Sequence, residues 1–278
     1  MTSPATASVP RLSALRLVSF VPAARDAVHV GLLTPDAQHV IDLAPLGVTD
    51  ALDAIDQLDM LRRAAGAIVH GDARLALPLQ GLHLVAPIPL VRTVVQDGAA
   101  AAPRFLDPAT LHGPGGHISR AEAATAVVGL GAVLGRTLAA RAGVTDEPSD
   151  DELQAALIGS VLVLGCTGVG DDGLPARIPI ALGPYLAVPR RRPDSLRCTW
   201  VAPLAPHAVP DLRQMCAAPD DAAVLALARR ALQSHTLRPG DVLTIFPDVP
   251  VITLDAVAGG SWVRSSAPGL GTLSIAVQ

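Results

Sequence analysis

The chain has 278 residues and a formal net charge of −4; half are hydrophobic, 17% are charged and only 2% are aromatic. A core of Ala, Val, Leu and Ile is therefore expected, and no apolar run reaches the ~18 residues of a membrane-spanning helix. It contains no lysine and no asparagine, and its 21 cations are all arginine, which excludes Schiff-base chemistry, pyridoxal-phosphate attachment and any phosphate-loop lysine.

At roughly 150 residues per domain, one or two domains fit. Residues 1–12 are rich in Ser, Thr, Pro and Ala and read as a disordered tail. Leu15–Phe20, Ala27–Leu33 and His39–Leu43 read as short strands, with a turn at Thr34-Pro-Asp36. Thr49 or Asp50 caps a helix expected to run to Gly66, with Leu52, Ile55, Leu58 and Leu61 on one stripe. Pro87 and Pro89 then mark entry into a larger domain, giving expected boundaries of 13–82 and 83–278.

In the second part, Ala126–Leu134 and Val161–Leu164 read as buried strands. Ser149-Asp-Asp-Glu152 is a capping box opening a short helix that ends near Gly159. Gly165-Cys-Thr-Gly-Val-Gly170 superficially looks like a dinucleotide loop. No helix can start in Asp171-Asp-Gly-Leu-Pro175 to hold a pyrophosphate, so a turn or loop is expected. Asp220–Ser234 reads as a helix with apolar residues at 224, 227, 228, 231 and 232. Val242–Ile245, Val251–Leu254, Trp262–Arg264 and Leu273–Val277 complete a β-rich half.

Isolated features carry little chemistry. Arg190–Arg192 reads as a solvated turn, so no nucleic-acid surface is expected. Cys166, Cys198 and Cys216 are too few and too scattered for a disulfide framework or metal knuckle. Cys166 reads as a buried thiol rather than a nucleophile. His112 and His117 flank a Gly-rich loop and read as solvated, since that spacing in a flexible loop fixes no metal geometry. No secretory pattern opens the chain, and a reduced, cytoplasmic protein without membrane contact is expected.

One set of segments occurs in a familiar order. Leu17–Phe20, Gly31–Leu33 and Ile41–Leu43 come first, then Leu84–Pro89. Phe105-Leu-Asp107-Pro108 with Gly113-Pro-Gly115, Gly131–Gly135 and Ala181–Tyr185 follow. Leu237–Thr244 with Pro247, and Pro268–Leu273, close the series. Together they resemble the fumarylacetoacetate hydrolase family. The resemblance implies a β-rich α+β fold: a small N-terminal domain, a mixed-sheet C-terminal domain and, by family habit, a homodimer. It also implies acylpyruvate-type C–C hydrolysis, as in aromatic catabolism, with a divalent metal held by two glutamates and an aspartate.

The departures bear on function. Val127 and Gly129 stand where the glutamates belong; a shifted register offers Glu122 and Ala124 instead. The aspartate position falls near Gly165, with Asp171 and Asp172 following. Neither the general-base histidine nor its glutamate is present around 94–100, the pocket lysine is Asp107, and Thr244-Ile-Phe-Pro247 replaces the family's Thr-Gly-Thr-Pro. Hard cations need oxygen ligands, and a metal and a general base each carry a large share of such catalysis. The expectation is an eroded site with no metal and no cofactor. The chain would then be a non-catalytic small-acid binder, or the partner of an active paralogue in a heterodimer. The alternative is a metal-independent or rebuilt-site hydrolase, decarboxylase or isomerase for a small oxo-acid or diketone. Either way the pocket candidates are Asp107, Asp171, Arg177 and Thr244, with Arg104 and Arg177 for a substrate carboxylate.

Overall fold

The computed structural model describes residues 14–22, 27–70, 76–88, 93–96, 103–106, 111–118, 125–140, 147–169, 175–201, 213–247, 252–253 and 261–278. The expected N-terminal tail lies outside them.

The N-terminal part holds β1 (Leu15–Val21), β2 (His29–Leu33), β3 (His39–Asp42), α1 (Ala51–Asp56), α2 (Leu58–His70), β4 (Ala76–Pro78) and β5 (His83–Val85). Asp50 caps α1 by accepting the Asp53 amide at 2.9 Å, as the sequence indicates. Gly66 does not stop the helix: α2 runs on to His70. Leu61 and Ala65 are fully buried on its inner face, so tertiary packing outweighs the local glycine penalty of ~1 kcal/mol. The break falls instead at Gln57, between the two helices.

The rest comprises β6 (Val94–Gln96), β7 (Arg104–Leu106), β8 (His117–Ile118), β9 (Thr125–Leu134), α3 (Asp150–Ala156), β10 (Leu157–Val169) and β11 (Pro175–Val188). Then come β12 (Ser195–Val201), β13 (Arg213–Ala217), α4 (Asp221–Leu232), β14 (Val242–Ile245), β15 (Ile252–Thr253), β16 (Ser261–Ala267) and β17 (Gly271–Val277). Ser149 caps α3 through the Glu152 amide, and the helix passes directly into β10 at Leu157. Val224, Leu227, Ala228, Ala231 and Leu232 of α4 are all buried, matching the sequence stripe.

Among the described residues, one large sheet has the order β4-β3-β2-β1-β11-β10-β9-β14-β6-β7, with β5 on β1 and β15 on β9. The N-terminal strands thus continue the same sheet as the C-terminal ones. A second sheet has the order β13-β12-β16-β17-β8. The ladders are antiparallel except β14–β6 and β17–β8, which are parallel.

Alternation splits the sheet into two layers. Val128, Leu130, Leu162 and Leu164 face Val263, Leu273 and Ile275 of the second sheet. Val133, Val161, Val163 and Leu182 instead pack with Ile55, Leu58 and Leu61 of the helical pair. A third cluster joins α3 and α4 to Ala132, Leu134, Leu243 and Ile245. Gly131 permits this density, because a methyl group there would lie 2.6 Å from Val161 and 2.9 Å from Val242.

Candidate functional site

The positions that the sequence resemblance assigns to metal ligands converge on one stretch of sheet. Val127 is directly opposite Gly165 in the β9–β10 ladder, and Gly129 is opposite Val163 two residues along the same face. Residues 165–169, expected to form a loop, are strand: Gly165, Cys166 and Thr167 pair with β9 on one side and β11 on the other. Pairing along both edges of β10 satisfies its backbone groups, which overrides the turn signal of two glycines.

Phe246 follows β14 and sets its ring against Gly129. A methyl group on Gly129 would stand 2.6 Å from the Phe246 ring and 2.8 Å from the Ile245 carbonyl oxygen. No side chain, and certainly no carboxylate, fits at 129 without moving backbone. Val127 is 1% exposed. The residues at 127, 129 and 165 therefore do not fit a hard divalent cation: they offer no side-chain oxygen, and the space beside Gly129 holds an aromatic ring. Among the described residues, no group of three or more His, Cys, Asp or Glu has a metal-binding arrangement.

Thr244 is opposite Gly131 in the β14–β9 ladder and fully buried. Its hydroxyl donates to the Val95 carbonyl at 3.2 Å, tying β14 to β6. Arg177 lies on β11 opposite Thr167, which pairs with Thr125 on β9. Its backbone position adjoins the 127–165 stretch. Arg104 lies on β7 opposite Gln96, five strands from β11 in the sheet order. The backbone therefore does not make the two arginines neighbours within the sheet. Asp107, Glu122, Asp171 and Asp172 lie outside the described residues.

The remaining candidates have structural surroundings. Cys166 is buried in the layer between the sheets. Burial pushes the Cys198 thiol up to about 12, against a smaller opposing effect of the nearby Ser265 hydroxyl. Cys216 is raised for the same reason. His112 and His117 are exposed, with ring centroids 5.7 Å apart. Their loop is not loose. Leu182 donates to the His112 carbonyl at 3.1 Å, Gly115 to Ser274 at 2.8 Å, and Ala276 to Gly116 at 2.8 Å. The sequence reading missed Phe246. Its only sequence signal is its place in Thr244-Ile-Phe-Pro247, where the family pattern has a small hydroxyl residue.

No protein-family model and no curated protein matches the chain. Solved structures do match, at low identity. Maleylpyruvate hydrolase from Sphingobium sp. SYK-6 aligns at 18% identity and a TM-score of 0.69, over 94% of this chain and 98% of that one. The same enzyme in complex with manganese(II) and pyruvate gives 17% and 0.68, over 94% and 98%. Fumarylacetoacetate hydrolase from psychrophilic Exiguobacterium antarcticum gives 17% and 0.65, over 95% and 99%. The 5-carboxymethyl-2-hydroxymuconate delta-isomerase from Mycobacterium smegmatis gives 19% and 0.61, over 94% and 98%. Likeness of this extent across nearly the whole of both chains identifies the architecture: the chain has the β-rich α+β fold of the fumarylacetoacetate hydrolases.

Proposed function

We propose that this chain is a non-catalytic protein on a hydrolase fold, which binds a small carboxylate or oxo-acid or pairs with an active paralogue. The observation that carries this reading is the Phe246 ring against Gly129, beside Val127 and Gly165. An apolar side chain fills the place where the resemblance puts oxygen ligands. Without those ligands a carbonyl is not polarised by a metal, and without a histidine base no water is activated. The bound acid would be held by arginine: a guanidinium offers a planar pair of donors to a carboxylate. Arg177, on β11 beside the stretch, is the first candidate, and Arg104 the second. Asp107 and Asp171 would complete the wall, with Thr244 behind it as a buried strut.

A second reading has its own support, since the similar structures include hydrolases and an isomerase. In it, Asp107 and Asp171 rebuild a site for hydrolysis, decarboxylation or isomerisation of a small oxo-acid. A rebuilt metal site is tested by elemental analysis of the purified protein, with melting scans in Mg²⁺ and Mn²⁺; a metal-independent enzyme is tested by acylpyruvate and oxaloacetate turnover without added metal. The non-catalytic reading expects no stoichiometric metal and an unchanged Tm. Stoichiometric metal, or a rise of several degrees, would favour a rebuilt site. A homodimer or a paralogue heterodimer belongs to the same proposal; sedimentation of the protein alone and mixed with a paralogue distinguishes them.

A further inference from the structure

We propose that a second, arginine-lined cleft, between β1, β11, β12 and the β16–β17 turn, binds a small organic molecule carrying at least two negative charges. The cleft has a volume of about 500 Å³, and its walls include Arg16, Arg197, Tyr185, Ser195, Ser266 and Thr272. An adjoining cleft of about 270 Å³ shares Arg16, Tyr185 and Gly269 and adds Arg191. Both together fall in the usual range for small-molecule sites, ~300–1,000 Å³. Among the described lining residues, three are arginines and none is an Asp or Glu.

Two of the arginines are held in place. The Arg16 guanidinium donates to the Thr34 carbonyl and lies over the Tyr185 ring, 5.6 Å from its centroid. Tyr185 is itself only 6% exposed, so this platform is fixed. Arg191 is anchored through its backbone by Ser160, a residue with no exposure. The Ser160 hydroxyl donates to the Arg191 carbonyl at 2.7 Å and accepts from its amide at 3.1 Å.

The basic run Arg190–Arg192 is thereby divided. Arg190 pairs with Asp221, and Arg192 donates to the Ala218 carbonyl at 3.5 Å. Arg191 instead runs along the turn, with its Nη1 3.9 Å from where a methyl group on Gly269 would stand. Asp36, next in sequence to the lining residue Pro35, has its carboxylate engaged by the Thr34 hydroxyl and the Gln38 amide. Three arginines along two adjoining clefts, with no acid among the described lining residues, suit a ligand that brings its own charge.

This cleft is separate from the stretch around Gly129. Tyr185 belongs to the layer with Leu162 and Leu164, whereas Val163, opposite Gly129, belongs to the other layer. The proposal therefore stands whether or not the first site is catalytic.

The test is calorimetric titration, at matched ionic strength, with inorganic pyrophosphate, succinate and acetate. The proteins are wild type, Arg191→Gln, Arg197→Gln and, as a control for loss of a charge elsewhere, Arg63→Gln, an exposed residue of α2 that lines neither cleft. The expected result is saturable binding of pyrophosphate, succinate or both; which of the two binds tells a phosphate from a dicarboxylate ligand. Each of Arg191→Gln and Arg197→Gln should weaken that binding about tenfold or more, as loss of a charge-assisted hydrogen bond implies, with the ligand-free Tm unchanged, and neither should alter the response to the monoanion acetate. Arg63→Gln should bind like wild type. Absence of saturable binding by both pyrophosphate and succinate overturns the proposal. So does binding that survives both cleft variants.

Discussion

Gly269 and Gly271 both lie in the left-handed region, at φ +76° and +80°, but they are not equivalent. A methyl group on Gly271 would meet the Tyr185 ring at 2.8 Å and Pro184 at 2.9 Å, while one on Gly269 would find nothing nearer than Arg191 at 3.8 Å. Gly271→Val should therefore destabilise by more than about 1 kcal/mol, from strain and overlap together, and Gly269→Val by less. Chemical denaturation of both variants checks the order; equal midpoints would contradict it. Cys198 gives a second residue-scale expectation. Its thiol stays neutral in the native state up to about 12. An aromatic disulfide reagent at pH 8 should leave it unlabelled until the protein unfolds. The native state binds this proton more tightly than the unfolded chain. Its stabilising contribution is therefore complete below the ordinary thiol value of ~8.5 and is lost as the pH rises from there towards about 12. At this scale the sequence was partly legible. The two glycines of Pro-Gly-Leu-Gly-Thr-Leu mark a tight turn, but the difference between them depends on Tyr185, which is 86 residues away from Gly271 in the chain.

The element scale is set by which backbone groups find partners. Thr244 links β14 to β6 by a side-chain hydrogen bond inside a fully buried layer. Thr244→Val keeps the shape and removes the donor, leaving the Val95 carbonyl without its side-chain partner. It should cost about 1–3 kcal/mol, read as a shift in denaturation midpoint with an unchanged m-value. No shift would show that the bond is dispensable. The capping residues Asp50 and Ser149 were readable because an N-cap is a local device: side chain and amide lie three residues apart. The end of α2 and the continuation of β10 were not readable. Gly66 is carried through by the packing of Leu61 and Ala65, and Gly165–Val169 by ladders to β9 and β11. In both cases contacts distant in sequence decide against the local glycine signal.

For the whole molecule, the order of weak motifs carried the fold, because they fall in strands and turns of the two sheets in that order along the chain. The convergence of 127, 129 and 165 on one face follows from the β9–β10 register and was implicit in the resemblance. The ring set against Gly129 was not, because nothing local links Phe246 to Gly129. The proposed exchange of metal-assisted chemistry for apolar packing is tested by following acylpyruvate and oxaloacetate consumption with saturating Mg²⁺ and Mn²⁺, for wild type, Asp107→Ala and Asp171→Ala. Rates indistinguishable from the protein-free background are expected in all three. Robust turnover by wild type that either variant abolishes would contradict it, and would show that the site was rebuilt rather than lost.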